Sequence, residues 1–394
     1  MNSYLHKRDT DYVRDNLIFN YCLGNEQDLL IESYIHNNHI DIRFDPHCFY
    51  FLITGTHKKF VMPYTPETFH KGVDGIFRMY TYMTQCLKEN GYDGNVFLIK
   101  EDNSKQTGVL FSPSAHPSCT PEEMACKLQK SYEHGIHCST SFSGPYGGYS
   151  QIHTAFRDAR DLNDLYFFGI RNRVITKEFR NQTARPCDIT AILANVRRLT
   201  STLCTGTAKE ALRQINYLTG EMVAPSYSYL NFAALCTAID DVFGMFETVY
   251  PGHVYLNHRT LESFFTLQQY ECWVKETTQM LYDQLQDVKR YSPTLLMVLS
   301  FINRNYTTDL SLSQLAEYAY TNASVLSSEF NDEVGMSLSE YVTGLRIKKA
   351  QDLLRTSDMT VAQIAVQAGF SSAKYFREIF KKQTGMSPQQ YRDQ

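Results

Sequence analysis

Hydrophobic and polar positions along the chain fall into three regimes. Up to about residue 180 the pattern switches repeatedly between helical and strand periods. Two helix-like patterns, near Tyr12 to Leu23 and Glu26 to Asn37, meet at Gly24-Asn25, a C-cap signal. The apolar run Cys48 to Thr54 ends at Gly55 and suits a buried strand. Thr65-Pro66 opens a helix through Phe77, Tyr80, Met83 and Leu87 that Asn90-Gly91 stops. Runs at Asn95 to Ile99 and Gly108 to Ser112 flank the polar turn 101–105, as in a β-hairpin. Thr120-Pro121-Glu122-Glu123 is a capping box for a helix to about Glu133. A strand at His137 to Ser143, a helix through Ile152, Phe156, Ala159 and Leu162, and a strand at Arg173 to Thr176 complete an α+β domain over residues 1–185.

Strand signals then vanish. Residues 186–290 read as a helical linker or dimerisation region. Its last part carries Val274, Thr278, Leu281, Leu285 and Val288 at alternating four- and three-residue spacing. That seam fits either one core-facing helix or a dimer or signalling helix, because two heptads are too few for a free coiled coil.

The third regime, residues 291–394, is all helical and unusually well punctuated. Ser311 to Gln314, Ser337 to Glu340, Thr360 to Gln363 and Ser387 to Gln390 each fit the capping box, the last with Pro388 at the first helical position. Apolar positions agree: Leu312, Leu315, Ala316, Ala319, Leu326 and Phe330 in one set; Val361, Ile364, Ala365, Ala368, Phe370, Phe376, Ile379 and Phe380 in the other. In each, a short helix ends, a tight turn follows and a second helix begins; Gly369 is the turn residue of the second set. The fold class is therefore multidomain: an α+β, sensor-like N-terminal domain, a helical middle and an all-α C-terminal domain with two helix-turn-helix subdomains.

Composition narrows the function. The 394 residues exceed one small domain, and 43% hydrophobic with 13% aromatic residues excludes a disordered chain. The longest apolar stretch, Leu295 to Ile302, is broken by Ser300 and falls far short of the roughly 20 residues that span a bilayer. With no secretory-type segment at the start, a cytoplasmic location without membrane attachment is expected. Ten cysteines without a CxxC pair read as reduced thiols. Cys119, Cys126, His134, His137 and Cys138 hold two imidazoles at i, i+3, but the cysteines are spaced too loosely for one arm of a zinc site, so no metal and no cofactor are expected.

A spaced series runs through Ala350-Gln351-Asp352-Leu353-Leu354, Ile364-Ala365, Gly369-Phe370, Tyr375-Phe376, Phe380-Lys381-Lys382, Gly385-Met386-Ser387-Pro388 and Tyr391-Arg392, with Leu315-Ala316, Leu326, Phe330, Gly335 and Leu345-Arg346 in the first half. On these residues the stretch 292–394 resembles the DNA-binding domain of AraC/XylS transcription regulators. The resemblance implies seven helices, a linking helix at about Leu338 to Arg355, and recognition helices at about Ala323 to Asp332 and Ser372 to Lys382.

Charge divides these two halves. Residues 341–394 carry nine basic against four acidic side chains; residues 291–340 carry one, Arg304, against six. Because phosphate neutralisation supplies most non-specific affinity, the second half should dominate attachment. Lys374, Arg377 and Lys381 lie at i, i+3, i+7, opposite Phe376 and Phe380, with Ser371 and Ser372 ahead of them and Arg346 on the linking helix. Arg377 is the candidate for base readout, since a guanidinium pairs bidentately with guanine O6 and N7. The first recognition helix offers Asn322, Ser324, Val325, Ser327 and Ser328, and no cation. A weak or conditional first head is the plain inference.

The α+β order, with Ser143 to Tyr149 followed by Ala155 to Ala159, resembles a degenerate nucleotide-cyclase (GGDEF-type) domain of the kind found in YesN-like AraC regulators. Cyclase chemistry needs clustered carboxylates for two metals, and the hairpin lacks the Gly-Gly-acidic-acidic-Phe sequence, so no cyclase activity is expected. Gly144 to Gly148 lacks the Gly-Lys-Ser/Thr ending of a P-loop and reads as a tight turn. Two function classes follow. One is a DNA-binding transcription regulator, an activator by resemblance, acting as a homodimer with RNA polymerase as a further partner and controlled by a small-molecule or protein effector. The other is a nucleotide-binding hydrolase with an attached DNA-binding module, for which no catalytic residues are visible. Alanine at Arg377 plus Lys381 should abolish gene activation in the first case and spare turnover in the second.

Overall fold

The computed structural model describes residues 14–15, 18–20, 22–23, 42–56, 79–99, 105–130 and 139–393. Most of the two N-terminal helix patterns, the Thr65-Pro66 helix start, residues 101–104 of the hairpin turn and the His134, His137 and Cys138 part of the candidate metal cluster lie outside them. The chain divides into two compact units: one takes the chain up to Cys187 with Thr219–Tyr229 and Glu262–Cys272, the other Asp188–Leu218, Leu230–Leu261 and Trp273–Gln394.

The first unit holds a small mixed sheet. Strands β1 (Phe49–Thr56), β2 (Tyr92–Ile99), β3 (Lys105–Pro113), β4 (Ser139–Tyr146) and β5 (Val174–Ile175) stand in the order β2-β3-β1-β4-β5, antiparallel except for the β4/β5 pair. Side chains alternate across a strand, so the unbroken apolar run of β1 implies a sheet covered on both faces. Phe49, Phe51 and Ile53 meet Ile152, Ala155, Phe156 and Ala159 of α2 (Ile152–Asn163). Leu52 lies on the opposite face with Met124, Ala125 and Leu128 of α1 (Pro121–Lys130) and with Met83 and Leu87 of the helical residues 79–89. The expected capping box starts α1, the Thr120 amide donating to Glu123 at 2.9 Å and the Glu123 amide to the Thr120 hydroxyl at 3.2 Å. After β5, Thr176 caps a short helix, α3 (Lys177–Thr183), that the sequence pattern did not announce. Gly144 to Tyr146 form the end of β4 where a tight turn was expected, and the two glycines beyond it have engaged amides: Gly148 donates to the Pro46 carbonyl at 2.6 Å and Gly147 to Gln151 at 3.3 Å.

The second unit is helical. It contains α4 (Ile189–Thr205), α5 (Ala208–Asn216), most of α6 (Tyr229–Val249) and the greater part of α7 (Leu267–Gln284). Of the seam, Val274, Thr278 and Leu281 of α7 and Leu285 just beyond it are buried within the chain, and Val288 is half-buried. His258 bridges two carboxylates, Nδ1 to Asp240 at 2.6 Å and Nε2 to Glu247 at 2.7 Å, while Glu247 also accepts the Leu256 amide at 2.7 Å. Partial burial lowers the imidazole's pKa, and the bonds and charges of Asp240 and Glu247 outweigh it, so the net shift is upward. The charge then supports folding in full below the ordinary histidine value of about 6.5, and that support is lost as pH rises through the raised value. Urea unfolding from pH 6 to 9 should show a decline in stability that His258→Gln removes; identical pH profiles for the two proteins would contradict it.

Seven further helices follow in this unit: α8 (Pro293–Asn305), α9 (Leu312–Tyr318), α10 (Ala323–Val334), α11 (Leu338–Thr356), α12 (Val361–Gln367), α13 (Ala373–Thr384) and α14 (Pro388–Arg392). All four expected capping boxes are formed, by Ser311, Ser337, Thr360 and Ser387. They pack as two apolar clusters. Leu299, Leu315, Leu326, Phe330 and Val342 centre the first, and Ile347, Leu354, Ile364, Phe376 and Phe380 the second, so α11 contributes to both.

Candidate nucleic-acid interface

The second cluster sets the stage for α13. Phe376 and Phe380, one helical turn apart, are fully buried against α11 and α12. At 100° per residue this turns Lys374, Arg377 and Lys381 outward, and all three are exposed. Among the described residues none of their side chains makes a hydrogen bond or ion pair, so their charges are left for a ligand. Ser371 is exposed; Ser372 caps α13, its hydroxyl accepting the Tyr375 amide at 3.2 Å and keeping its proton for another partner. The turn before α13 runs through Gly369 at φ +89°.

The first cluster presents α10 in the same way with different chemistry. Asn322 caps it by accepting the Val325 amide at 2.8 Å, and the turn ahead holds Tyr320 at φ +54°. Asn322, Ser324, Val325 and Ser328 are exposed, whereas Ser327 is half-buried. No cation lies on this helix, and Glu329 and Asp332 add negative charge.

Arg346 sits between the clusters. From α11 its Nε donates to the Tyr306 carbonyl and Nη2 to the Thr308 carbonyl, each at 2.7 Å. Partial burial works against its charge and lowers its pKa, with the nearby Asp309 carboxylate pulling the other way. The residue expected beside DNA thus has two of its three nitrogens committed to backbone. Between those carbonyls lies Thr307, and Gly369 approaches it so closely that a Cβ there would fall 2.6 Å from the Thr307 Cα. The loop 306–308 is held from both sides, by an arginine of α11 and by the turn of the second helix pair. Neither contact has a local signature, since the partners lie about forty and sixty residues apart in sequence.

Residues 315–394 match the family described as "Helix-turn-helix domain". Over 95 residues the chain is 37% identical to the melibiose operon regulatory protein of Escherichia coli K12, which is 24% of this chain and 32% of that protein. Residues 315–394 form an AraC-type helix-turn-helix domain. A second relative, an uncharacterised HTH-type transcriptional regulator of Staphylococcus aureus MSSA476, is 39% identical over 95 residues, 13% of its length. The C-terminal domain of the two-component response regulator YesN from Fusobacterium nucleatum is 32% identical, covering 26% of this chain and 99% of that one at a TM-score of 0.25. The chain spans about a third or less of the length of the curated relatives it matches. Among the described residues no helix is long and apolar enough to cross a membrane, and no group of three His, Cys, Asp or Glu side chains is placed to hold a metal.

Proposed function

We propose that the protein is a sequence-specific DNA-binding transcription regulator, most simply an activator, working in the cytoplasm as a homodimer that engages RNA polymerase. In this reading the AraC-type domain carries two heads, α9/α10 and α12/α13, and residues 1–185 and 186–290 sense an effector and transmit its binding. One observation carries the reading: Lys374, Arg377 and Lys381 form an exposed cationic face, unpaired among the described residues, on the second helix of a helix-turn-helix pair. That element is the one that enters the major groove, where phosphates attract the lysines and a guanine edge suits Arg377. Ser371 and Ser372 supply hydroxyls at the start of α13; Asn322, Ser324, Val325 and Ser328 supply short groups at α10, Val325 suiting a thymine methyl. In the glycine-rich segment 144–148 the Gly147 and Gly148 amides are bonded within the protein, which gives the hydrolase alternative no support from them as phosphate donors.

Footprinting of the full chain on DNA upstream of its own and neighbouring genes, across salt concentrations, tests the proposal. Paired protected sites about one helical turn apart, weakening steeply with salt, are expected. Absence of protection with the full chain and with residues 285–394 alike would overturn it.

A further inference from the structure

The first head poses an electrostatic problem: residues 291–340 hold six acidic side chains against one basic, and α10 itself has no cation to offer a phosphate. A cation stands at its turn nonetheless, and it comes from α4. On that helix Ile192, Val196, Leu199 and Leu203 are buried at helical spacing, which places Arg197 on the exposed side. Its guanidinium lies 5.5 Å from the centroid of the Tyr320 ring. Tyr320 is 81% exposed, the most exposed large apolar side chain among the described residues, and its left-handed backbone sits two residues ahead of the Asn322 cap. A guanidinium stacked on a ring keeps its hydrogen-bonding edge free. Among the described residues no carboxylate pairs with Arg197.

The position of α4 beside this head is fixed by polar contacts, not by the stack alone. Arg290, just ahead of α8, donates Nη1 to the Gly206 carbonyl at 3.1 Å at the C-terminal end of α4. Tyr282 of α7 donates to the Thr202 carbonyl at 2.8 Å. From the head's side, Glu333 of α10 accepts the Ser292 amide at 2.8 Å and its carbonyl accepts Lys289 Nζ at 2.6 Å. Arg197 is therefore presented at the turn by a braced helix.

We propose that Arg197 binds a DNA backbone phosphate beside the first head, so that the middle helices supply the cation which α10 lacks. This rests on the DNA-binding reading above. It makes attachment of the first head depend on the helix that carries Arg197, and gives the helical middle a direct hold on DNA.

The test is a binding titration of the full-length protein on its footprinted duplex over a range of salt, comparing wild type, Arg197→Gln, Arg197→Lys and Arg377→Ala. Arg197→Gln should bind about fivefold more weakly at low salt, with a salt slope shallower by about one. Hydroxyl-radical protection should weaken at the first head's half-site and persist at the second. Arg197→Lys, which keeps the charge, should retain the slope. Unchanged affinity and slope in Arg197→Gln would overturn the inference by reducing the stack to packing; tighter binding would overturn it by making α4 a mask over the head. If wild type itself fails to bind, the underlying reading fails; if binding remains sensitive to Arg377→Ala while Arg197→Gln is silent, only this inference does.

Discussion

Arg377→Ala is expected to weaken specific binding by about 10- to 100-fold and to erase preference at one base position. A bidentate arginine–guanine pair discriminates by about 1–3 kcal/mol, and loss of the guanidinium also removes a cation from the groove. The side chain is exposed and makes no hydrogen bond or ion pair among the described residues, while its neighbour Phe376 carries the packing. Unfolding of the variant should therefore match wild type, which separates a contact defect from a folding defect. The deciding measurement is a titration against the natural duplex and against duplexes substituted at each half-site position. A variant that keeps both affinity and base preference would show that α13 is not the reading element.

The second large effect is on stability. Gly369→Ala is expected to lower the unfolding free energy by about 3 kcal/mol and to weaken DNA binding with it. An L-residue held at φ +89° costs about 1–3 kcal/mol. The new Cβ would also stand 2.6 Å from the Thr307 Cα and 2.7 Å from its carbonyl oxygen, atoms of backbone that cannot rotate away. Gly335→Ala is the control: its φ is +81°, but nothing lies within 4 Å of the added carbon, so only the conformational part remains, about 1 kcal/mol. Equal losses for the two variants in urea titrations would mean that the approach to Thr307 yields at little cost.

The helices of the AraC-type domain were readable because their boundaries are local events. A hydroxyl at the cap and a Glu or Gln three residues on satisfy each other's neighbouring amides, and the four such boxes in residues 311–390 place four helix starts before any long-range contact is known. The sheet was readable for a related reason: a short apolar run ending at Gly55 marks β1, and two runs flanking one polar turn mark β2 and β3. Elements with little periodicity of their own were less legible. The seven-residue α3 is too short to show a period and betrays itself only by the Thr176 cap. The seam from Val274 to Leu285 has a period that any apolar surface would satisfy, so the pattern alone could not name the surface that covers it.

At the candidate interface, outward residues of α13 follow from one rule: two buried phenylalanines fix the rotation of the helix, and the cations fall opposite. The same rule applied to α10 holds for Asn322, Ser324, Val325 and Ser328 and less well for Ser327, which is half-buried. Arg346 shows where such reading stops. A cation in a basic stretch looks like a phosphate ligand, yet only the fold brings the Tyr306 and Thr308 carbonyls to it. Arg197 is the converse, an ordinary exposed arginine until the fold sets Tyr320 beside it.

The grip on the loop 306–308 has a mechanical corollary. With Arg346 bonded to two of its carbonyls and Gly369 seated against its middle residue, the two helix pairs are clamped to each other with little freedom to hinge. A stiff protein leaves the duplex as the compliant member of the complex. Smooth curvature of 20–30 base pairs through 40–90° costs about 1–6 kcal/mol, depending on the steps that must give way. If the two heads engage two half-sites as proposed, the base pairs between them would then influence affinity through their flexibility, and part of the recognised sequence would be written in how easily the DNA bends.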